Sequence, residues 1–155
     1  MKIMTKEIEK VLEKYPIYSQ DGLMGDAKLI TYFFDPMSNW TWYVTEGERR
    51  EDGDWEFFGL VHGLEWEWGY FLLSDLCTKI PGRLPIEREI WTQPLKHTVR
   101  ELAGMCGCPE HLLIPHKETV EGFLETITID ARAESQPETV TVEWTAAGYG
   151  QQTLF

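Results

Sequence analysis

Apolar and polar positions recur along this chain with two different periods, and the switches between them divide it into elements. Ile8, Val11, Leu12 and Tyr15 stand at i, i+3, i+4 and i+7, behind Thr5 and ahead of Pro16, which predicts a short amphipathic helix over 5–15 with Thr5 as its N-cap. Ile17-Tyr18-Ser19-Gln20 reads as a brief strand ended by the turn residues Asp21-Gly22 and Gly25-Asp26. Three aromatic and β-branched runs follow, 27–34, 40–46 and 55–62. A fourth, 64–72, alternates Glu65 and Glu67 with Trp66, Trp68 and Tyr70. Successive side chains of a strand point to opposite faces, so this run predicts a wet carboxylate face and a packed aromatic one. The short connections predict an antiparallel meander over 27–72.

Past the meander the punctuation is denser. Ser74-Asp75-Leu76 opens a short helix, Pro81-Gly82 and Pro85 break the chain, and 86–91 reads as an edge strand. Leu95, Val99 and Leu102 predict a helix over 94–103 that stops at Gly104. Two alternating runs, 123–133 and 139–145, flank Gln136-Pro137 and predict a C-terminal β-hairpin. The expected fold is a single α+β domain: a mostly antiparallel, twisted sheet of about five to seven strands with two or three helices packed on one face. Residues 1–104 form its main body, and 105–155 form an acidic extension carrying the hairpin and packed on the same domain.

Charge narrows the class of partner. The 155 residues hold 14 Lys+Arg against 26 Asp+Glu, a net of −12, which argues against direct binding to the polyanions DNA, RNA or an anionic membrane. The excess is uneven, at −1 over 1–45, −6 over 46–70, +2 over 71–100 and −7 over 101–155. One reading of the two acidic blocks is a solvated face that maintains solubility. The sharper one is a surface that imitates nucleic-acid phosphates and occupies a basic groove on a protein. There is no run of the ~20 apolar residues that a membrane span needs and no apolar leader, and the sparse cysteines Cys77, Cys106 and Cys108 fit reduced thiols, so a cytoplasmic location is expected.

An ordered series of motifs runs through the first two thirds of the chain. Ser38-Asn39-Trp40-Thr41-Trp42-Tyr43-Val44-Thr45-Glu46-Gly47 is followed by Asp52-Gly53-Asp54-Trp55-Glu56-Phe57-Phe58-Gly59-Leu60-Val61. Then come Glu65-Trp66-Glu67-Trp68-Gly69-Tyr70-Phe71-Leu72-Leu73-Ser74-Asp75-Leu76 and Leu84-Pro85-Ile86-Glu87-Arg88-Glu89. This series resembles the bacterial domain-of-unknown-function family 2958 over about residues 5–95. The resemblance implies a small α+β domain often carried on plasmids, phages and integrative elements, with no assigned activity, cofactor or catalytic residue.

Three constellations carry candidate chemistry. The first is the acidic and aromatic sheet of Glu46, Glu65 and Glu67, with Asp52 and Asp54 in the preceding loop and tryptophans 40, 42, 55, 66 and 68. Indoles serve both cores and interface hot spots, so Glu46, Asp52, Asp54, Glu65, Glu67, Trp42 and Trp66 are the expected partner-binding residues. The same carboxylates are the candidates for acid–base work or a hard cation. The second is Cys106-x-Cys108-x-x-His111 with His116, a weak zinc spacing that lacks a second cysteine pair. Cys77, in the apolar start of a helix, reads as a packed residue rather than a nucleophile. The third is the thin basic stretch Lys79, Arg83, Arg88, Lys96 and Arg100, expected to pair with the acidic sheet. Phosphate-loop, dinucleotide and nucleophile-elbow signatures are absent, and neither a cofactor nor a metal is expected.

The expected function is therefore a non-enzymatic acidic binding protein of a mobile element. It would inhibit a nucleic-acid-binding host defence protein, such as a nuclease or its guide complex, by nucleic-acid mimicry. A small carboxylate- or metal-dependent hydrolase and a homo-oligomeric accessory protein are the alternatives.

Overall fold

The computed structural model describes residues 2–116. The chain divides into two compact units, Met1–Gln20 with Met24–Ile114, and Asp21–Leu23 with Pro115–Phe155. In the second, the Gly22 carbonyl accepts from the His116 N–H at 2.8 Å. The expected hairpin over 123–133 and 139–145, and the part of the acidic 101–155 block beyond 116, lie outside the described residues.

In the first unit, helix α1 (Lys6–Leu12) is capped by the Thr5 hydroxyl, which accepts from the Ile8 N–H at 3.3 Å. Strands β1 (Thr31–Phe34), β2 (Thr41–Arg49), β3 (Trp55–His62) and β4 (Trp66–Leu72) form the expected meander. Helix α2 (Leu73–Cys77), the two-residue strand β5 (Glu87–Arg88) and helix α3 (Val99–Ala103) follow. All neighbours are antiparallel, and the order across the sheet is β4-β3-β2-β1-β5.

The sheet carries core on both faces. Directly opposed residues share a face, so the rows Phe33–Trp42–Val61–Glu67 and Thr31–Val44–Gly59–Gly69 lie on one side together with Phe57 and Phe71. There Phe33, Val44, Trp55 and Phe57 pack against Ile3, Met4, Ile8, Leu12 and Leu76. Burying each such large apolar side chain contributes about 1.5–3 kcal/mol. Tyr32, Tyr43, Phe58, Leu60, Trp66 and Trp68 point the other way. On that side Val99, Ala103 and Leu113 are buried, and the Trp68 indole N–H donates to the Leu112 carbonyl at 2.8 Å. Helices on a single face are thus not what forms: the aromatic content of both strand faces demands a cover on each, and α1 and the α3 segment divide the work.

Several expected elements are shorter or absent. Residues 17–20 form turns instead of a strand, with Tyr18 in the left-handed region at φ 78°. The run 27–34 is a strand only from Thr31, because 27–29 bonds to 95–99 instead, Leu29 to His97 and Leu95, Val99 to Ala27. That bonding takes 95–98 out of the helical pattern, with Leu95 in the left-handed region at φ 67°, so α3 begins at Val99, where Thr98 and Glu101 close a capping box. Of 86–91, only Glu87 and Arg88 form a strand against β1, and beyond them the Glu89 N–H donates to the Tyr32 carbonyl at 3.0 Å. The register of β2 slips at Thr45, a β-bulge whose hydroxyl donates to the Phe58 carbonyl at 3.2 Å.

Candidate functional site

The bulge decides the fate of Glu46. Its carboxylate is buried, with Oε1 accepting from the Tyr18 N–H at 2.7 Å and Oε2 from the Gln20 N–H at 2.9 Å. Gln20, also buried, returns its amide to the Lys28 and Thr45 carbonyls and accepts from the Lys28 N–H. This network pins the 16–20 loop to β2 and to the lead-in of β1. Glu46 is therefore a structural acceptor and does not lie on the exposed acidic surface expected of it. Main-chain donors need a buried acceptor, and a carboxylate serves two at once.

The other acids divide as well. Asp54 accepts from the Ser74 hydroxyl at 2.6 Å and from the Ser74 and Trp55 N–H groups, tying the start of β3 to α2. The Ser74 hydroxyl, followed by those N–H groups, holds its carboxyl below the usual range. Asp52 caps its own turn through the Asp54 N–H and pairs with Arg50 at 3.5 Å, both exposed. Glu65 and Glu67 are exposed on the β4 edge, with no side-chain bond or ion pair among the described residues. Glu46 and Glu67 stand on opposite faces, three rows and two strands apart, so Glu46, Glu65 and Glu67 do not converge as an acid–base or cation site.

Trp42 and Trp66 also separate. Trp66 stacks on His62, with ring centroids 3.8 Å apart, on the α3 side of the sheet. Trp42 lies on the α1 side beside Trp40, 5.7 Å centroid to centroid, and Gly63 sits so close under Trp40 that a Cβ there would come within 2.5 Å of the ring.

These two indoles line a cleft of about 690 Å³. Its far wall is the loop 78–86, with Ile80 and Leu84 exposed by 56% and 57%. The loop is held by Arg83, which pairs with the buried Asp35 carboxylate. The Met37 N–H, then the Ser38 hydroxyl and Arg83, keep Asp35 below the usual carboxylate range. Asp75 and Lys79 complete the charged rim. Of the residues that form this cleft, sequence reasoning singled out only the tryptophans and the bases Lys79 and Arg83. The remaining signal was the apolar pair Ile80 and Leu84 set among Pro81, Gly82 and Pro85, where a solvated loop has little use for them.

The basic stretch does not pair with Glu65 or Glu67. Arg83 takes Asp35, and Arg100 takes Asp26 at 3.3 Å and Glu110 at 2.6 Å. Among the described residues no three His, Cys, Asp or Glu side chains group as metal ligands. Burial, then Glu110, pushes the Cys108 thiol up to about 11, which disfavours the thiolate that zinc requires. Cys77 is exposed at the end of α2 rather than packed, and burial together with Asp54 raises its thiol, the opposite of an activated nucleophile. No helix among the described residues is long and apolar enough to cross a membrane. Comparison with family models, with curated proteins and with solved structures finds no match.

Proposed function

We propose that this chain is an acidic, non-enzymatic binding protein that occupies the basic, nucleic-acid-binding surface of a protein partner. The observation that carries the reading is the charge layout. A net of −12 concentrates −6 within 46–70, and Asp52, Glu65 and Glu67 of that segment are exposed. Such a surface attracts a basic groove and repels nucleic acid itself. The motif resemblance to a mobile-element family supports a host defence nuclease or its guide complex as the partner, and cytoplasm as the place of encounter.

Salt tests the reading. The immobilised full chain is exposed to bacterial lysate at about 0.05 M and about 1 M salt, where the screening length falls to ~3 Å. Recovery of a nucleic-acid-binding protein that high salt releases and added DNA or RNA competes away is the expected result. A partner retained at high salt and indifferent to nucleic acid overturns it.

A further inference from the structure

We infer that the Trp40–Trp42 cleft is the anchoring pocket of this protein's docking surface. It receives an apolar side chain from an extended segment of the partner that also carries a lysine or arginine about 10 Å away. The inference rests on the reading that the partner is basic, and adds where and how it is gripped.

Register brings the two halves of this footprint together. Trp42 opposes Val61 and Val61 opposes Glu67, so cleft and carboxylate share one face and one cross-strand row. Two strand spacings separate them, about 10 Å. Glu65 lies two residues before Glu67 and is also exposed. The cleft itself is electrically balanced, with Asp35 and Asp75 against Lys79 and Arg83 on its rim. The unmatched charge therefore lies beside it, on the β4 edge, and calls for a cation there.

Size and chemistry define the anchor. About 690 Å³, floored by two indoles and walled by Leu76, Ile80, Leu84 and Ile86, suits large apolar side chains. The walls are also preorganised: Gly63 leaves Trp40 its place, and the Arg83–Asp35 pair fixes the loop that carries Ile80 and Leu84. Aromatic pockets surrounded by polar groups concentrate binding energy, which exposed surface pairs of charges do not. In an extended polyproline-II segment, which has three residues per turn and rises about 3.1 Å per residue, positions three apart share a side and lie about 9 Å apart, so the base belongs three positions from the anchor.

The test uses the full chain as bait for phage-displayed random nonapeptides, with enriched sequences resynthesised and their affinities measured. The expected peptides carry Leu, Ile, Phe or Trp three positions from Lys or Arg. They weaken about tenfold both on Leu84→Glu, a change at an exposed wall, and on Glu67→Lys. Far-UV circular dichroism checks that both variants fold. Basic peptides that lack an apolar anchor and ignore Leu84→Glu overturn this inference while leaving the acidic-binding reading standing. Anchored peptides without a base, or indifferent to Glu67→Lys, overturn the paired footprint and count against the basic partner as well. A library that yields no enrichment overturns the pocket.

Discussion

Replacing Glu46 by alanine separates a structural carboxylate from a docking one. The side chain is 2% exposed and accepts main-chain N–H groups of Tyr18 and Gln20 at 2.7 and 2.9 Å. Hydrogen bonds to a charged acceptor contribute about 1.5–3 kcal/mol each, and the two N–H groups left behind lose their buried acceptor. Two terms oppose that loss. Removing a buried carboxylate removes its desolvation cost, and freeing the loop releases Tyr18 from φ 78°, where strain is about 1 kcal/mol or more. The net expectation is a destabilisation of about 2–4 kcal/mol, a fall in Tm of roughly 5–15 °C for a chain of this size. Urea unfolding followed by tryptophan fluorescence reads it, and because the interaction is buried the loss should persist in high salt. Glu65→Ala and Glu67→Ala are expected to stay within about 0.5 kcal/mol of the parent, as exposed positions do. If Glu46→Ala is as mild as Glu67→Ala, and instead weakens partner capture, the buried-acceptor argument is wrong and Glu46 belongs to the docking surface.

Three further outcomes follow from neighbouring features. Gly59→Ala would drive a Cβ into the Tyr43 carbonyl across the bulge, so a loss of at least about 2 kcal/mol in urea unfolding is expected; a variant as stable as the parent would show that the strands are not this close. Gly63→Ala meets only the edge of the Trp40 ring, so it should alter near-ultraviolet circular dichroism through that indole while costing less than about 1.5 kcal/mol; an unchanged near-ultraviolet spectrum would refute the contact. Asp35 has a folded pKa below its unfolded value of about 3.9, so its contribution is complete above that value and is lost as pH falls through the folded one; Asp35→Asn should flatten the decline in urea midpoint between about pH 5 and pH 2, and an identical slope in both proteins would refute it.

Where local pattern and local cause coincide, the elements were legible. Strand β3 runs over the whole expected 55–62, because its aromatic and apolar run is bounded by Asp54 on one side and by Gly63 on the other. Helix α1 follows its spacing and its Thr5 cap. The failures are all long-range. Nothing within 17–20 tells that a carboxylate 26 to 28 residues away will claim its N–H groups. Leu95 fits a helical stripe, yet its main chain bonds to Leu29 and it adopts φ 67°. Alternation along β4 put Glu67 opposite Trp66, Trp68 and Tyr70, and it stands so. The expectation that this whole face is wet failed, because the same face holds Phe71 and, two strands in, Val44. The cleft escaped notice because its two walls come from stretches about forty residues apart.

The geometry of cover explains why an aromatic cleft and bare carboxylates meet at one end of the sheet. Helix α1 has seven residues, about 10 Å of length, whereas the nine-residue β2 spans about 30 Å. The helix and the N-terminal segment therefore cover the Trp55 and Phe57 end, and among the described residues the cleft at Trp40 and Trp42 is walled by Asp75, Leu76 and the 78–86 loop. That end also abuts β4, whose outer edge has no strand partner among the described residues. An open edge next to an apolar cleft invites association with any extended chain, including a second copy. On the proposed footprint, Glu65 and Glu67 would discriminate among those chains. Two copies meeting there bring like charges together in molecules that each carry −12, while a segment rich in lysine or arginine is attracted. On the proposed footprint, the same carboxylates would oppose pairing of this edge with a second copy and favour a basic segment in the cleft.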